Sequence, residues 1–222
     1  MKIAICMPVF AGVETPTFFS ILNALNCLNH YKFTYDINFF HTERRPIYWA
    51  RQELWDMARH SGCDRMIFLS EDIVLKVDTL IKLAETDYDI FSVLYFERQP
   101  PHRPMVFRLD DNNQWRPHNL DINGKIQIVD GVGCDCISFS REVLDKISSS
   151  AFLPFEYYTG DDLSFFIHVK KKGFQVFLDT QHKVGHVYHK KRIIWYEDYI
   201  NTLGEIYKKG EWHKRYNEIK RG

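Results

Sequence analysis

Over its first 96 residues the chain switches regularly between two periodicities. Short apolar runs suited to buried strands are KIAICMPVF (2–10), FTYDINFFHT (33–42), RMIFLS (65–70) and DIFSVLYF (89–96). Segments with helical character separate them: PTFFSILNALNCLNHY, PIYWARQELWDMARHSG and VDTLIKLAET. In the first of these, Thr15 can cap, Pro16 sits in the first turn, and Phe19, Leu22 and Leu25 fall on one face. Pro46 begins the second and Gly62 closes it. A β-α-β-α-β-α-β order gives a parallel sheet with helices on both faces, because the crossovers are right-handed and pack back on the sheet. Ligands of such sheets bind beyond the carboxyl ends of the strands. Pro8 and Val9 lie at one such end, and Ser70, Glu71 and Asp72 at another.

After Phe96 the alternation stops. Residues 97–133 carry Pro100, Pro101 and Pro104, then DDNN and NG, which predicts a long loop with short β-hairpin strands. A long irregular insertion of this kind in a compact domain is usually functional or disordered. CDCISFS is a predicted strand, REVLDKIS a short helix, DDLSFFIHVKKKG a helix ending at Gly173, and FQVFLDT a strand. The charged stretch 197–220 predicts a C-terminal helix or helix pair. The 222 residues fit one domain with a sizeable core. It divides into 1–96, 97–190 and a helical tail, 191–222.

Composition excludes some partners. Formal net charge is zero, which argues against a dedicated nucleic-acid binder. No apolar run approaches the roughly 20 residues that span a bilayer. The first residues read as a strand and not as a signal peptide. Five cysteines with no C-x-x-C suit reduced thiols, and so a cytoplasmic protein.

Taken alone, Ser70-Glu71-Asp72 is either a turn with a helix cap or a metal site. Asp161 and Asp162 in GDDL are equally good caps for the helix they begin. Together with His186 they form a set suited to different chemistry. A divalent cation holding a diphosphate needs one or two carboxylates, and imidazole is a suitable added ligand for Mn²⁺. A further carboxylate at a helix start can serve as a general base.

Three stretches in this order resemble the GT-A glycosyltransferases, in particular small family-2-like members of large DNA viruses, phages and bacteria. MIFLSEDIVL resembles the strand-end D-x-D segment. VDGVGCDCISFSREVLDKI resembles the glycine-containing strand and helix behind the sugar pocket. YTGDDLSFFIHVKKKGFQVFLDTQHKVGH resembles the E/D-D motif, helix, glycine, strand and terminal His. The likeness covers most of residues 1–190. It implies a GT-A (nucleotide-diphospho-sugar transferase) fold: an α/β/α sandwich with a mostly parallel central sheet and a small extra β-hairpin region. The first segment would bind the nucleotide and the second the sugar and acceptor, in the host cytoplasm if the source is viral.

The resemblance further implies a UDP- or GDP-sugar donor, a glycan or glycoprotein acceptor, and Mn²⁺ or Mg²⁺ held by Asp72 and His186. Asp162 would be the base of an inverting single displacement, with Asp161 the competing candidate. Pro8 and Val9 would cradle the base, and Arg51 would face the donor. Ser70, Glu71, Asp130 and Gly131 would complete the donor site. The chain departs from the family at Ser70, which stands where D-x-D has its first Asp. Arg98, His102 and Arg103 are polar candidates in a loop over the site. Rival readings are a sugar-phosphate nucleotidyltransferase, a non-catalytic nucleotide- or carbohydrate-binding module, and a zinc site from His182, His186 and His189.

Overall fold

A computed structural model describes residues 1–31, 34–112, 114–154, 160–188 and 192–209. The alternation predicted for the first 96 residues is present. Strand β1 (Lys2–Val9) leads to helix α1 (Thr15–Tyr31), then β2 (Asp36–Glu43), α2 (Ile47–Ser61) and β3 (Arg65–Leu69). A two-residue strand β4 (Ile73–Val74) precedes α3 (Thr79–Ala84) and β5 (Ile90–Leu94). Gly62 ends α2 in the left-handed region with φ 68°, a conformation that costs glycine little.

The second half holds β6 (Val106–Leu109), β7 (Trp115–Pro117), β8 (Ile126–Val129), β9 (Gly131–Val132) and β10 (Cys136–Ser140). Helix α4 (Arg141–Lys146), a 3₁₀ turn (Ser149–Phe152) and α5 (Asp161–Lys171) follow. Strands β11 (Val176–Lys183), β12 (Gly185–Tyr188) and β13 (Arg192–Ile194) precede α6 (Tyr196–Lys209). The predicted C-terminal helix is present as far as Lys209, and its remainder lies outside the described residues.

The central sheet has seven strands in the order β2-β1-β3-β10-β5-β11-β8. Strands β2, β1 and β3 pair in parallel, as do β5 and β11, while β10 and β8 run antiparallel to their neighbours. Side chains alternate across a strand, so β1 feeds two cores. Ile3, Ile5 and Met7 join Ile21, Ala24 and Leu28 of α1 and Leu80 and Leu83 of α3. Ala4 and Cys6 join the opposite core, around α2, α4 and α5. Trp55 anchors that side. Its ring stands edge-on to Phe139, Phe152 and Phe165, and its Nε1–H donates to the Ile147 carbonyl at 3.1 Å. A buried indole so satisfied keeps its large apolar contribution without an orphaned donor.

One predicted face is wrong. Phe19 and Leu22 are exposed, and the buried residues of α1 are Thr17, Ser20, Ile21, Ala24 and Leu28. The small side chains Thr17, Ser20 and Ala24 let α1 sit close to its neighbours. Ser20 Oγ also accepts the Leu75 N–H at 3.0 Å, a contact no apolar pattern signals.

Two small sheets flank the large one, β13-β12-β4 and β7-β6-β9. The second is the predicted hairpin region. The first has no counterpart in the predicted elements, because β4, β12 and β13 are too short to show a period.

Candidate functional site

A cleft of about 540 Å³ opens at the carboxyl ends of β1 and β3. Pro8, Val9, Arg51, Ser70, Glu71, Asp72, Arg98 and His186 all line it, so eight of the residues selected from sequence are brought together. Phe10, Met105 and Asp135 also line it.

Antiparallel pairing places the first cluster. In β12, His186 is opposite Ile73 of β4, and the Val187 N–H donates to the Asp72 carbonyl at 2.8 Å. The His186 ring thereby lies beside the Asp72 carboxylate, Nε2 to Oδ2 at 3.3 Å. A carbonyl can only accept, so His186 Nδ1–H donates to the Phe96 oxygen, at 2.8 Å. Burial opposes protonation of this imidazole. The hydrogen bond and charge of Asp72 outweigh it and raise the His186 pKa. Arg98 also reaches Asp72, at 2.9 Å, from the loop that follows β5. Gly185 is required by packing, since a Cβ there would lie 2.5 Å from the Ile193 methyl.

The second cluster is built around Arg51. Ala50, Arg51, Leu54, Trp55 and Ala58 form the buried face of α2, which carries the guanidinium inward to 3% exposure. Arg51 Nη1 donates to Asp161 at 2.5 Å and to Asp162, and Nη2 donates to Asp135 at 3.0 Å. Arg51 therefore reaches the cleft wall, but its guanidinium is committed to carboxylates rather than free for a donor base.

One guanidinium facing three carboxylates leaves excess negative charge. Burial pushes the Asp162 carboxyl up to about 7; Arg51 opposes that shift, and Asp161 and Asp135 add to it. Asp135 goes the other way. Burial would raise it, but Arg51, His186 and hydrogen bonds from Ser70 and Tyr95 together hold it below the usual carboxylate range. Asp161 and Asp162, in the first turn of α5, are outside the cleft lining and connect to it through Arg51 and Asp135.

Sequence reasoning missed Asp135. Pairing of β10 with β3 sets Cys136 opposite Leu69, so Asp135 meets Ser70. Ser70 N–H donates to the Asp135 carbonyl at 2.9 Å, and Ser70 Oγ–H donates to its carboxylate at 2.5 Å. Tyr95 O–H donates to the other carboxylate oxygen at 2.9 Å. A carboxylate from the turn before β10 thus stands against Ser70. The only local signal was an Asp between two cysteines.

Asp130 and Gly131 do not line the cleft. Asp130 accepts from Leu109 N–H at 3.1 Å and from Lys170 at 3.2 Å. A Cβ at Gly131 would lie 3.1 Å from the Trp115 ring and 3.2 Å from Phe166, so packing explains that glycine. A closer approach is made at Gly133, where a Cβ would fall 1.8 Å from the Tyr95 hydroxyl that bonds Asp135.

In the loop after β5, Arg98 alone of the three polar candidates lines the cleft. His102 is buried against the Glu97 carbonyl, and Arg103 pairs with Glu97 at 3.1 Å. The proposed histidine triad is divided. His182 bonds Thr79 Oγ1 at 2.8 Å, His186 faces the cleft, and His189 lies outside the described residues. Among the described residues, no group of three or more His, Cys, Asp or Glu side chains could hold a metal. No helix among them is long and apolar enough to cross a membrane. The five cysteines are unpaired.

The fold is GT-A-like, the glycosyltransferase fold expected from sequence. The chain is similar to the crystal structure of A197 from STIV, with 22% identity and a TM-score of 0.64 over 89% of this chain and 92% of that one. It is also similar to the catalytic domain of Drosophila beta1,4galactosyltransferase 7, solved in complex with xylobiose. That match has 15% identity and a TM-score of 0.53 over 86% of this chain and 74% of that one. No protein-family model matches the sequence, and no curated protein does.

Proposed function

We propose that the chain is a glycosyltransferase that moves a sugar from a UDP- or GDP-sugar to a hydroxyl of a glycan or glycoprotein. The observation that supports this most is the cleft itself. On a GT-A-like fold it holds Asp72 and His186 side by side, and Arg51 in its wall bonds a carboxyl with a pKa near neutrality, Asp162.

Asp72 and His186 are the residues that would hold Mn²⁺ or Mg²⁺. The donor set fits. With Nδ1–H given to Phe96, His186 would present its Nε2 lone pair beside the Asp72 carboxylate once Nε2 gives up the proton it shares with Asp72. One carboxylate and one imidazole leave most coordination positions to phosphate oxygens and water. A cation bound there supplies charge neutralisation at the departing diphosphate.

Asp162, which Arg51 ties to the cleft wall, acts on the acceptor. Its carboxylate takes the hydroxyl proton as the acceptor oxygen bonds the anomeric carbon. The bond to the diphosphate oxygen breaks and its electron pair leaves with the diphosphate, so a single displacement inverts the centre. A base with a pKa near 7 is about half ionised at neutral pH and basic enough to accept a proton. Arg51 orients this carboxylate and Asp161 together.

A panel of nucleotide-sugars in a thermal-shift assay, with and without Mn²⁺, tests the reading. A metal-dependent shift with one donor, followed by transfer to a sugar acceptor, is the expected result. No response to any nucleotide would overturn it. Ser70, which brings a hydroxyl and no charge, favours a second reading as a non-catalytic module. Donor binding without hydrolysis or transfer to any acceptor would support that one.

A further inference from the structure

We propose that Glu71 is a positioning residue, whose carboxylate pins the loop after β1 to the loop after β3 and thereby sets one wall of the cleft. Glu71 Oε2 accepts the backbone N–H of Phe10 at 2.8 Å and of Gly12 at 3.2 Å. The Ala11 N–H between them reaches both carboxylate oxygens, at 3.3 and 3.4 Å. Three successive amides converging on one anion form a nest, and charge-assisted bonds of this kind are among the stronger ones. The clasp is doubled by the main chain, because Glu14 N–H donates to the Glu71 carbonyl at 2.9 Å. Gly12 makes the bend with φ +124°, a region that L side chains rarely adopt.

Little else holds this segment. Residues 10–13 are exposed, so the amides of Phe10, Ala11 and Gly12 have no buried packing to fix them. The segment nevertheless carries part of the cleft wall, since Val9 and Phe10 line it. The carboxylate of Glu71 is directed at the loop, and Asp72 alone of the two faces His186. Two adjacent acids thus have separate tasks.

The consequence for ligand binding rests on the proposed function, while the clasp itself does not. In the full chain, amide hydrogen exchange is measured for wild type, Glu71→Ala, Glu71→Asp and Glu71→Gln. Loss of charged-group hydrogen bonds predicts exchange about tenfold faster at Phe10, Ala11 and Gly12 in the Ala variant. Asp, one methylene short, behaves like Ala. Gln keeps an acceptor at the same reach and restores most of the protection.

Binding of UDP and GDP then weakens severalfold in the Ala and Asp variants and recovers in Gln. Mn²⁺ affinity without nucleotide is unchanged in all three. Unchanged amide exchange in Glu71→Ala overturns the clasp. So does a loss of Mn²⁺ affinity in Gln with retention in Asp, which would make Glu71 a metal ligand. If wild type binds neither nucleotide, the functional reading fails, and the exchange rates still decide the clasp.

Discussion

The two ends of the cleft handle acidic side chains in opposite ways. At one end Asp72 meets Arg98, a side chain 55% exposed on a loop. At the other, Arg51 is 3% exposed and bridges Asp135, Asp161 and Asp162. An exposed ion pair is worth little and can be exchanged for another cation. A buried one cannot be broken without stranding charge in a poor solvent. The first arrangement suits a site that must accept a ligand, and the second suits a carboxylate that must be held in place with a shifted pKa.

The largest expected effect tests the buried end. Asp162→Asn removes the base and should lower transfer about 10²–10⁴-fold, measured as turnover with a sugar acceptor. Asp161→Asn should retain most activity. The reverse outcome would exchange the two roles. The pH profile carries the same information, because the base works ionised: kcat/KM should rise with pH through about 7 and then level off. Stability has the opposite sign. A carboxyl whose folded pKa lies above its unfolded value favours the native state when protonated, so its contribution is present below about pH 4 and lost as pH rises through about 7. Asp162→Asn should flatten that part of a urea-denaturation series.

Arg51→Met should destabilise the fold by about 3–5 kcal/mol, because three carboxylates lose their shared counter-ion. Equilibrium denaturation at neutral pH measures it. A small effect would mean that water enters the cluster freely, and the contrast between the two ends would disappear.

The Asp72 end should respond chiefly in ligand binding. His186→Ala should lower Mn²⁺ affinity by about 10–100-fold in calorimetry, the scale seen even for outer partners of metal ligands. The smallest effect is expected for Arg98→Ala. Freeing Asp72 from an exposed pair worth about 0.2–1 kcal/mol should raise Mn²⁺ affinity by no more than about fivefold, with an unchanged melting temperature.

The same contrast explains what could be read from the chain. The strands β1, β3 and β5 were legible because their apolar runs are continuous, and a continuous run between helices means burial on both faces. The buried face of α1 was misread because large residues were given more weight than small ones. In this helix, Thr17, Ser20 and Ala24 face inward, while Phe19 stays outside. Asp72 and His186, which meet in the cleft, were selected from sequence through the order of the resembling stretches, as was Asp162 behind Arg51. Asp135 was not, since its partners Ser70, Tyr95 and Arg51 lie 40 or more residues away or farther.

By itself the sequence determined the layered α/β architecture, the strand ends that carry polar groups, and about half of the residues that line the cleft. Those are local properties: periodicity, capping and the position of a side chain along its own strand. Only the tertiary structure decided the pairings that give those residues their chemistry. The register of β12 on β4 brings His186 to Asp72, and that of β10 on β3 brings Asp135 to Ser70. The burial of α2 draws Arg51 inward among three carboxylates. Register, burial and charge balance depend on contacts between distant segments, and a one-residue slip in either pairing would point each side chain to the other face.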